Sequence, residues 1–325
     1  MKCIVTGGAG FIGSHLVKFL LKKKFRIIVL DNLISGDLKN LDSIKNQIKF
    51  INCDISTTGK WQKNFKNIDI VFHLAALADI VPSVNHPKKY FRYNVLGSFN
   101  IVNLCKEYNV KKLIYSASSS CYGIPKIYPT CEKTKIDTKY PYALTKYLAE
   151  CLVLHWSKVY NFSSISLRLF NVYGPNSRTS GTYGAMFGVF LAQKLAGKPL
   201  TIVGDGKQCR DFIYIGDVVK AFYLAGISNI SGEVINIGSG KTTSILKIAD
   251  LIGGKKIYIP KRPGEPDITF ANIKKAKQLL NWKPMVDIKK GVKCLLKEIN
   301  YWRDAPVWTA KKIEIATKDW FKYLK

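Results

Sequence analysis

The first half of the chain alternates compact apolar runs with longer stretches whose apolar residues recur at helical spacing. The runs Lys2–Thr6, Arg26–Leu30, Lys49–Cys53, Ile70–Leu74, Lys112–Ser116 and Ser163–Leu169 predict strands. The stretches near 11–24, 88–108 and 141–159 predict helices long enough to cross over between parallel strands. Strand and helix in strict alternation argue for an α/β fold, a doubly wound parallel sheet covered by helices on both faces. Beyond about residue 170 the order loosens. A Gly-containing apolar helix is expected near 182–197, a short strand at Leu200–Val203, a turn at Gly204-Asp205-Gly206 and a further helix from Asp217. Gly253-Gly254 and the Pro-rich stretch 260–266 mark loops. Val234–Ile237 is apolar enough to return to the first sheet. The expected division is therefore an interleaved one: residues 1–170 with returning segments near 212–240, and a smaller α+β part made mainly of 171–325.

With 47% hydrophobic and 22% charged residues, the 325-residue chain carries enough apolar material for a core of its own. No apolar run is long enough to span a bilayer, and Met1-Lys2 leads directly into a strand rather than a signal-like segment, so no membrane association is expected. Eight cysteines lie mostly in apolar runs without a C-x-x-C pair, which suggests neither a disulfide framework nor a metal site and fits a reduced, cytoplasmic setting. The net charge of +29 comes from 44 Lys and only 7 Arg, with the lysine pairs scattered along the chain. Such a field favours anionic ligands in general, but a surface that reads nucleic acid would gather Arg and aromatics in one place. Biased residue usage on a solvated surface accounts for the charge, and no specific nucleic-acid partner is expected.

Two constellations carry chemistry. The first is Thr6-Gly7-Gly8-Ala9-Gly10-Phe11-Ile12-Gly13, between a predicted strand and a predicted helix. Glycine permits the tight turn and lets a pyrophosphate approach the backbone N–H groups at the helix start. Asp31 follows Gly13 by 18 residues at the end of the next strand, where a carboxylate can hold ribose hydroxyls and repel a 2′-phosphate. The pattern predicts NAD rather than NADP, with Gly7, Gly10, Phe11, Ile12, Gly13, Asp31 and Asn32 around it. The ends of the third and fourth strands add Asp54 and Ile55, with Asp54 placed for the adenine, and the small wall Leu74-Ala75-Ala76. His73 is read as a packed core histidine.

The second constellation is Tyr140-Pro141-Tyr142-Ala143-Leu144-Thr145-Lys146. Proline suits the first turn of a helix, and Tyr142 and Lys146, four apart, share one face. An ammonium and a positive nicotinamide near Tyr142 would favour its phenolate, a base able to take a proton from an alcohol. Ser118-Ser119-Ser120, after another predicted strand, offers hydroxyls to the same place.

Together TGGAGFIGSH, DNL, HLAA, SASSSCYG, PYALTK and FNVYGP resemble the extended short-chain dehydrogenase/reductase family, in particular its nucleotide-sugar epimerases. GDGKQCRDFIYIGDVV, NIGSG and RPGEPD carry the resemblance over nearly the whole chain. It implies a Rossmann-type fold, NAD, and catalysis by Tyr142 as base, Lys146 as its partner on the nicotinamide ribose, and Ser118 on the sugar oxygen. It places Ser83, Ser119, Ser120 and Asn171 at the substrate, Arg210 and Arg262 at a nucleotide diphosphate, and Glu265 at the nucleotide ribose. It also implies a homodimer through the helices near 88–108 and 141–159.

Relatives that dehydrate or decarboxylate carry a carboxylate where this chain has Ser119 and Ser120, which favours reversible oxidation at sugar carbon 4. Thr269 stands where residue size is associated with admitting an N-acetyl group, so N-acetylhexosamine is expected beside glucose and galactose on UDP. Asp79 departs from the family pattern and either binds sugar hydroxyls, disfavours a uronic acid or faces solvent. Other readings are a different epimerase, dehydratase or oxidoreductase of the family, or a basic dinucleotide-sensing protein. The aromatic tail from Tyr301 to Tyr323 reads as a flap folded on the second part.

Overall fold

The computed structural model describes residues 1–177 and 186–324. Six strands in the first half, Lys2–Thr6 (β1), Arg26–Asp31 (β2), Lys49–Asn52 (β3), Ile70–His73 (β4), Lys112–Ser118 (β5) and Ser163–Leu169 (β6), join Glu233–Ile237 in one sheet. Its order is Glu233–Ile237, β6, β5, β4, β1, β2, β3, and every pairing is parallel. The central strands are rich in apolar residues because both faces are covered, and the buried polar residues of β6, Ser166 and Arg168, are bonded to Glu150. Cys3 and Val5 of β1 enter the core under the helices Phe11–Lys22 and Ile215–Ile227, whereas Ile4 enters the opposite core under Gly97–Glu107 and Pro141–Val159. Ile27 and Val29 of β2 and Ile28 and Leu30 divide in the same way.

The strand order reverses between β1 and β4, since β2 lies on one side of β1 and β4 on the other. Crossover helices leave the sheet in opposite directions there, opening a crevice at the carboxyl ends of the strands. The register brings Thr6 beside Leu30 and His73, and His73 beside Tyr115, so the chemistry-bearing strand ends share one edge.

The helix expected near 88–108 is a composite. Pro87–Tyr90 and Gly97–Glu107 are joined by a widened turn, Phe91–Leu96. The buried Asn94 in that turn exchanges hydrogen bonds with the backbone of Leu77, 2.8 Å from its N and 3.1 Å from its O, and reaches the Thr145 hydroxyl at 3.1 Å. A helical turn wider than usual aims this amide inward.

The rest of the chain forms three two-stranded pairings. Asn171–Tyr173 lies beside Phe212–Tyr214, Cys209–Arg210 beside Thr243–Ser244, and Leu200–Val203 beside Lys256–Ile259. The return to the main sheet thus runs through the helix Ile215–Ile227 to Glu233–Ile237, while Phe212–Tyr214 pairs elsewhere. The helix expected near 182–197 is seen as Met186–Leu195; its expected first turn lies outside the described residues. A third core gathers Phe187, Phe190, Leu200, Ile202, Ile248, Leu295 and, from the tail, Trp302, Ile313 and Trp320. The tail is a folded flap, as its aromatic content suggested. Among the described residues no helix is long and apolar enough to cross a membrane.

Candidate active site

The strand ends open onto a cavity of about 440 Å³. Its floor is the glycine turn. Gly7, at φ +69°, donates its N–H to Leu30 O at 2.8 Å and accepts at its own oxygen from Gly10 N at 3.1 Å. Gly10 precedes the helix Phe11–Lys22, whose first turn holds no acidic residue and receives no capping side chain. The N–H groups of that turn are left for a ligand, and the positive end of the helix dipole favours an anionic one. Gly7, Gly10, Phe11, Ile12 and Gly13 all line the cavity. A pyrophosphate fits this surface in charge and in the room that missing side chains leave.

Asp31 lines the same cavity with Asn32. Its carboxylate accepts from Ala9 N and Leu33 N, both at 2.9 Å, and burial pushes its pKa up against these two hydrogen bonds. Two carboxylate oxygens have more lone pairs than these bonds use, so hydroxyls of a ribose can still be accepted. Leu74, Ala75 and Ala76 form the facing wall, with Ile55 beside them. Thr6 fixes that wall by accepting from Leu74 N and Ala75 N at 3.1 Å. Behind it His73 is fully buried between Thr6 Oγ1 at 2.7 Å and Ser98 Oγ at 2.8 Å, and burial lowers its pKa to about 3. It is a neutral structural histidine, as its sequence context suggested.

On the side away from Asp31, β5 ends at Ser118, which caps the short turn Ser119–Tyr122. The Ser118 hydroxyl lies 2.8 Å from Ser120 Oγ and close enough to the Tyr142 hydroxyl to lower its pKa. Tyr142 enters on the helix Pro141–Val159, with Pro141 in its first turn. Burial raises the Tyr142 pKa, Ser118 lowers it and the charge of Asp79 raises it. Lys146, one turn on, is 4% exposed, and burial lowers its pKa to about 7 against the attraction of Glu150. Its Nζ sits over the Tyr115 ring, 4.4 Å from the centroid. The helix is seated by a buried cluster in which Arg168 Nε reaches both Glu150 oxygens at 3.2 and 3.0 Å, Ser166 donates to Glu150 at 2.7 Å and Arg168 donates to Tyr122 Oη at 2.9 Å. A fully partnered buried ion pair specifies one position for the helix, and hence for Tyr142.

Asn171, Arg262 and Glu265 line the cavity's remaining side, with Arg262 Nε 2.8 Å from Glu265 Oε1. Arg210 is one layer back: it donates to Cys209 O and Asp267 O, and its Nη2 is 4.0 Å from Glu265. Two guanidinium groups beside one carboxylate leave this end cationic.

Besides Arg210, three further expected contacts are not among the residues that line the cavity. Asp54 is not among the residues lining the cavity: it pairs with Arg92 at 3.0 Å and accepts from Ser56 N and Oγ at 2.8 and 2.7 Å, while its neighbours Cys53 and Ile55 line it. Ser83 is wholly buried and donates to Ile80 O at 2.6 Å, closing a turn of the helix Ile80–Asn85. Thr269 donates to Asn171 Oδ1 at 2.9 Å and accepts from Asp211 N at 3.0 Å, which sets it behind Asn171 rather than on the cavity wall. Asp79, in contrast, lines the cavity. Leu30, Val81 and Tyr93 also line it, and Asn94 supports the loop above; none of the four bears a motif that would single it out in the sequence.

Residues 3–238 match the model of the NAD dependent epimerase/dehydratase family. A putative UDP-glucose 4-epimerase of Methanocaldococcus jannaschii is 38% identical over 89% of this chain and 95% of its own length. Among solved structures, the UDP-glucuronic acid 4-epimerase of Bacillus cereus, in complex with UDP-glucuronic acid and NAD, is 34% identical with a TM-score of 0.86, covering 94% of this chain and 99% of that one. The UDP-N-acetylglucosamine 4-epimerase of Methanobrevibacter ruminantium is 33% identical with a TM-score of 0.85, covering 91% and 98%.

Proposed function

The chain belongs to the NAD-dependent epimerase/dehydratase family, and we propose that it inverts carbon 4 of a UDP-linked sugar with NAD as resident cofactor. One observation carries the reading. A tyrosine whose pKa is shifted both by Ser118 at a strand end and by Asp79 on the cavity wall stands by a cavity lined by an uncapped glycine turn and a ribose-competent aspartate. When bound, NAD would supply reversible hydride exchange at carbon 4, the hydride returning to the opposite face of the sugar, so the cycle has no net oxidation. The chain's own residues do the rest. Tyr142 takes the proton of the carbon-4 hydroxyl and gives it back, Ser118 holds the sugar oxygen and the tyrosine hydroxyl in register, and Lys146 holds the nicotinamide ribose. Arg262, Arg210 and Glu265 hold the nucleotide, and Asn171, braced by Thr269, meets the diphosphate side. Ser119 and Ser120 supply hydroxyls where a dehydration would need a proton-transferring carboxylate. Exposed Phe99, Leu144 and Val159 on the helices Gly97–Glu107 and Pro141–Val159 support a homodimer through that face, and eight free cysteines support a cytoplasmic setting. We place the NAD-binding part at residues 1–170 with returning segments near 212–240, although Ala271, Ile273, Ala276, Leu280 and Trp282 also pack into its core and Val81 packs into that of the second part.

The test is incubation with NAD and UDP-glucose, UDP-N-acetylglucosamine or UDP-glucuronic acid, with products followed by proton NMR. The carbon-4 epimer should appear without accumulating NADH; a keto-deoxy sugar or net NADH would replace epimerisation with dehydration or oxidation.

Asp79 ranks these substrates. Its carboxylate raises the Tyr142 pKa, so its negative charge is felt at the reacting end of the cavity. A uronate there adds a second negative charge, and like charges confined in a partly desolvated cavity repel. UDP-glucuronic acid is therefore expected to have a kcat/KM at least about tenfold below UDP-glucose, and Asp79→Asn to narrow the gap. An equal ratio in both proteins would remove Asp79 from substrate choice.

Asp31 sets the cofactor in the same way. Asp31→Asn keeps an acceptor oxygen for one of the two backbone bonds but removes the charge that repels a 2′-phosphate. The preference for NAD over NADP, read by titrating cofactor-stripped protein, should fall about tenfold, which corresponds to roughly 1.4 kcal/mol. An unchanged preference would place the discrimination elsewhere.

A further inference from the structure

The C-terminal flap lies outside the stretch that matches the family model, yet it reaches the active site. Trp320, on the helix Lys318–Tyr323, is 1% exposed. Its ring packs on Tyr140, with centroids 5.6 Å apart at 45°. Tyr140 is the residue immediately before Pro141 and two before the base Tyr142. The indole N–H donates to Pro263 O at 2.8 Å. Pro263 adjoins Arg262, and Glu265, two residues on, is the carboxylate to which Arg262 is paired. Val81, at the cavity wall, belongs to the same core as Trp320, with Ile80 and Val84 packed against it. Leu324, from the same helix end, lies against Gly264.

We infer that Trp320 is a positioning residue for the nucleotide grip: one indole ties the Arg262–Glu265 loop to the start of the helix that carries the catalytic base. The loop needs such an anchor. Residues 260–266 contain three prolines and a glycine, belong to no helix or strand, and present charged side chains to a ligand. A loop of this kind holds its geometry only through bonds made by its backbone to rigid neighbours. A tryptophan supplies both parts, a flat apolar body for Tyr140 and a directed donor for Pro263 O. The distance from the diphosphate end to the base is then set by a rigid ring rather than by loop conformation. An arrangement that positions the nucleotide should act on substrate binding more than on the chemical step.

The inference rests on the proposed UDP-sugar reading, and the experiment separates the two by using UDP itself as a probe. Trp320→Phe keeps a ring against Tyr140 and removes only the donor. Its UDP Kd, measured by calorimetry on the NAD-loaded protein, and its KM for the UDP-sugar should rise about fivefold, the usual effect of one neutral hydrogen bond. kcat should stay within about twofold and NAD content should not change. Trp282→Phe is the control: Trp282 is equally buried, and its indole donates to Asp217 O at 2.9 Å in the other core. It should lower thermal stability by as much while leaving UDP affinity and KM at wild-type values. Wild-type UDP affinity in a folded Trp320→Phe, or the same loss in Trp282→Phe, would overturn the inference, as would a wild-type protein that does not bind UDP. A wild type that binds UDP and loses affinity on Trp320→Phe, but epimerises no UDP-sugar, would keep the positioning role and reject the 4-epimerase reading.

Discussion

Replacing Tyr142 by phenylalanine should lower kcat about 10³-fold, in the middle of the range that a positioned acid–base group contributes, with NAD content and UDP affinity unchanged. The ring stays, so packing against the edge of Tyr90, 6.5 Å away between centroids, is kept. What is lost is the one oxygen that receives the substrate proton and faces Ser118. A 10³-fold loss corresponds to about 4 kcal/mol of transition-state stabilisation at 1.36 kcal/mol per decade. The pH dependence sharpens the test. Burial and the charge of Asp79 raise the hydroxyl's pKa and Ser118 lowers it, with the balance above the ordinary tyrosine value of about 10. The proton-free form therefore grows with pH, and wild-type kcat/KM should climb as pH rises. In the phenylalanine variant that rising limb should vanish and the residual rate run flat. A variant that retained the limb, or kept more than a tenth of the activity, would show that another group takes the proton.

Lys146 has a separate effect on stability. Its folded pKa of about 7 lies below the usual lysine value, so between these two values the unfolded chain binds more protons than the native one. The burial cost of its charge is fully present below about pH 7. It is relieved as the pH rises through the window above, so this residue makes the fold more stable toward alkaline pH. Glu150 moderates the cost by raising the Lys146 pKa, which gives the Glu150–Arg168 cluster a second use besides seating the helix.

The parts of this molecule that are legible in sequence are those specified by local pattern. A strand buried on both faces is rich in apolar residues, so β1, β2 and β4 declare themselves as short apolar runs, and Ser163–Leu169, though it alternates Ser and Arg with apolar residues, is observed with its expected ends. The glycine turn is legible because backbone approach admits no substitute, and Tyr142 and Lys146 because a helix fixes the relation of residues four apart. Contacts made across the fold escape such reading. Asp54 ends a strand as an adenine contact would, but Arg92, 38 residues on, takes its carboxylate. Thr269 suggested a gate for substrate size, and its hydroxyl instead braces Asn171, 98 residues away. Trp320 showed only as an aromatic in a tail; what it does depends on Tyr140 and Pro263, which no spacing connects to it. The widened turn at Phe91–Leu96 is likewise hidden, since its cause is the bonding of Asn94 to a loop that precedes it by 17 residues.

Gly13→Ala should abolish cofactor retention, leaving less than about a tenth of the wild-type NAD content, and destabilise the fold by at least about 1–3 kcal/mol, the cost of overpacking a tight site. A Cβ at Gly13 would lie 2.1 Å from Gly7 O and 2.8 Å from Gly8 Cα, both backbone atoms. Rotating a side chain cannot relieve that contact. Nor can Gly7 retreat easily: its N–H is bonded to Leu30 O, its oxygen accepts from Gly10 N, and a Cβ at Gly7 itself would lie 2.8 Å from Ala75 N. The helix Phe11–Lys22 would have to lift from the turn, carrying away the N–H groups that would meet the pyrophosphate. Gly10→Ala is the informative partner. Its Cβ would have only Gly7 O near it, at 3.2 Å, and Gly10 lines the cavity. That variant should fold with near wild-type stability but bind NAD about tenfold more weakly, because the methyl stands where the dinucleotide must come close to the backbone. Thermal melts and bound-NAD assays on the two proteins separate packing of the turn from access to it. If Gly13→Ala retained NAD at the wild-type level, the helix start could not be the pyrophosphate cradle, and the cofactor would have to be anchored chiefly through Asp31.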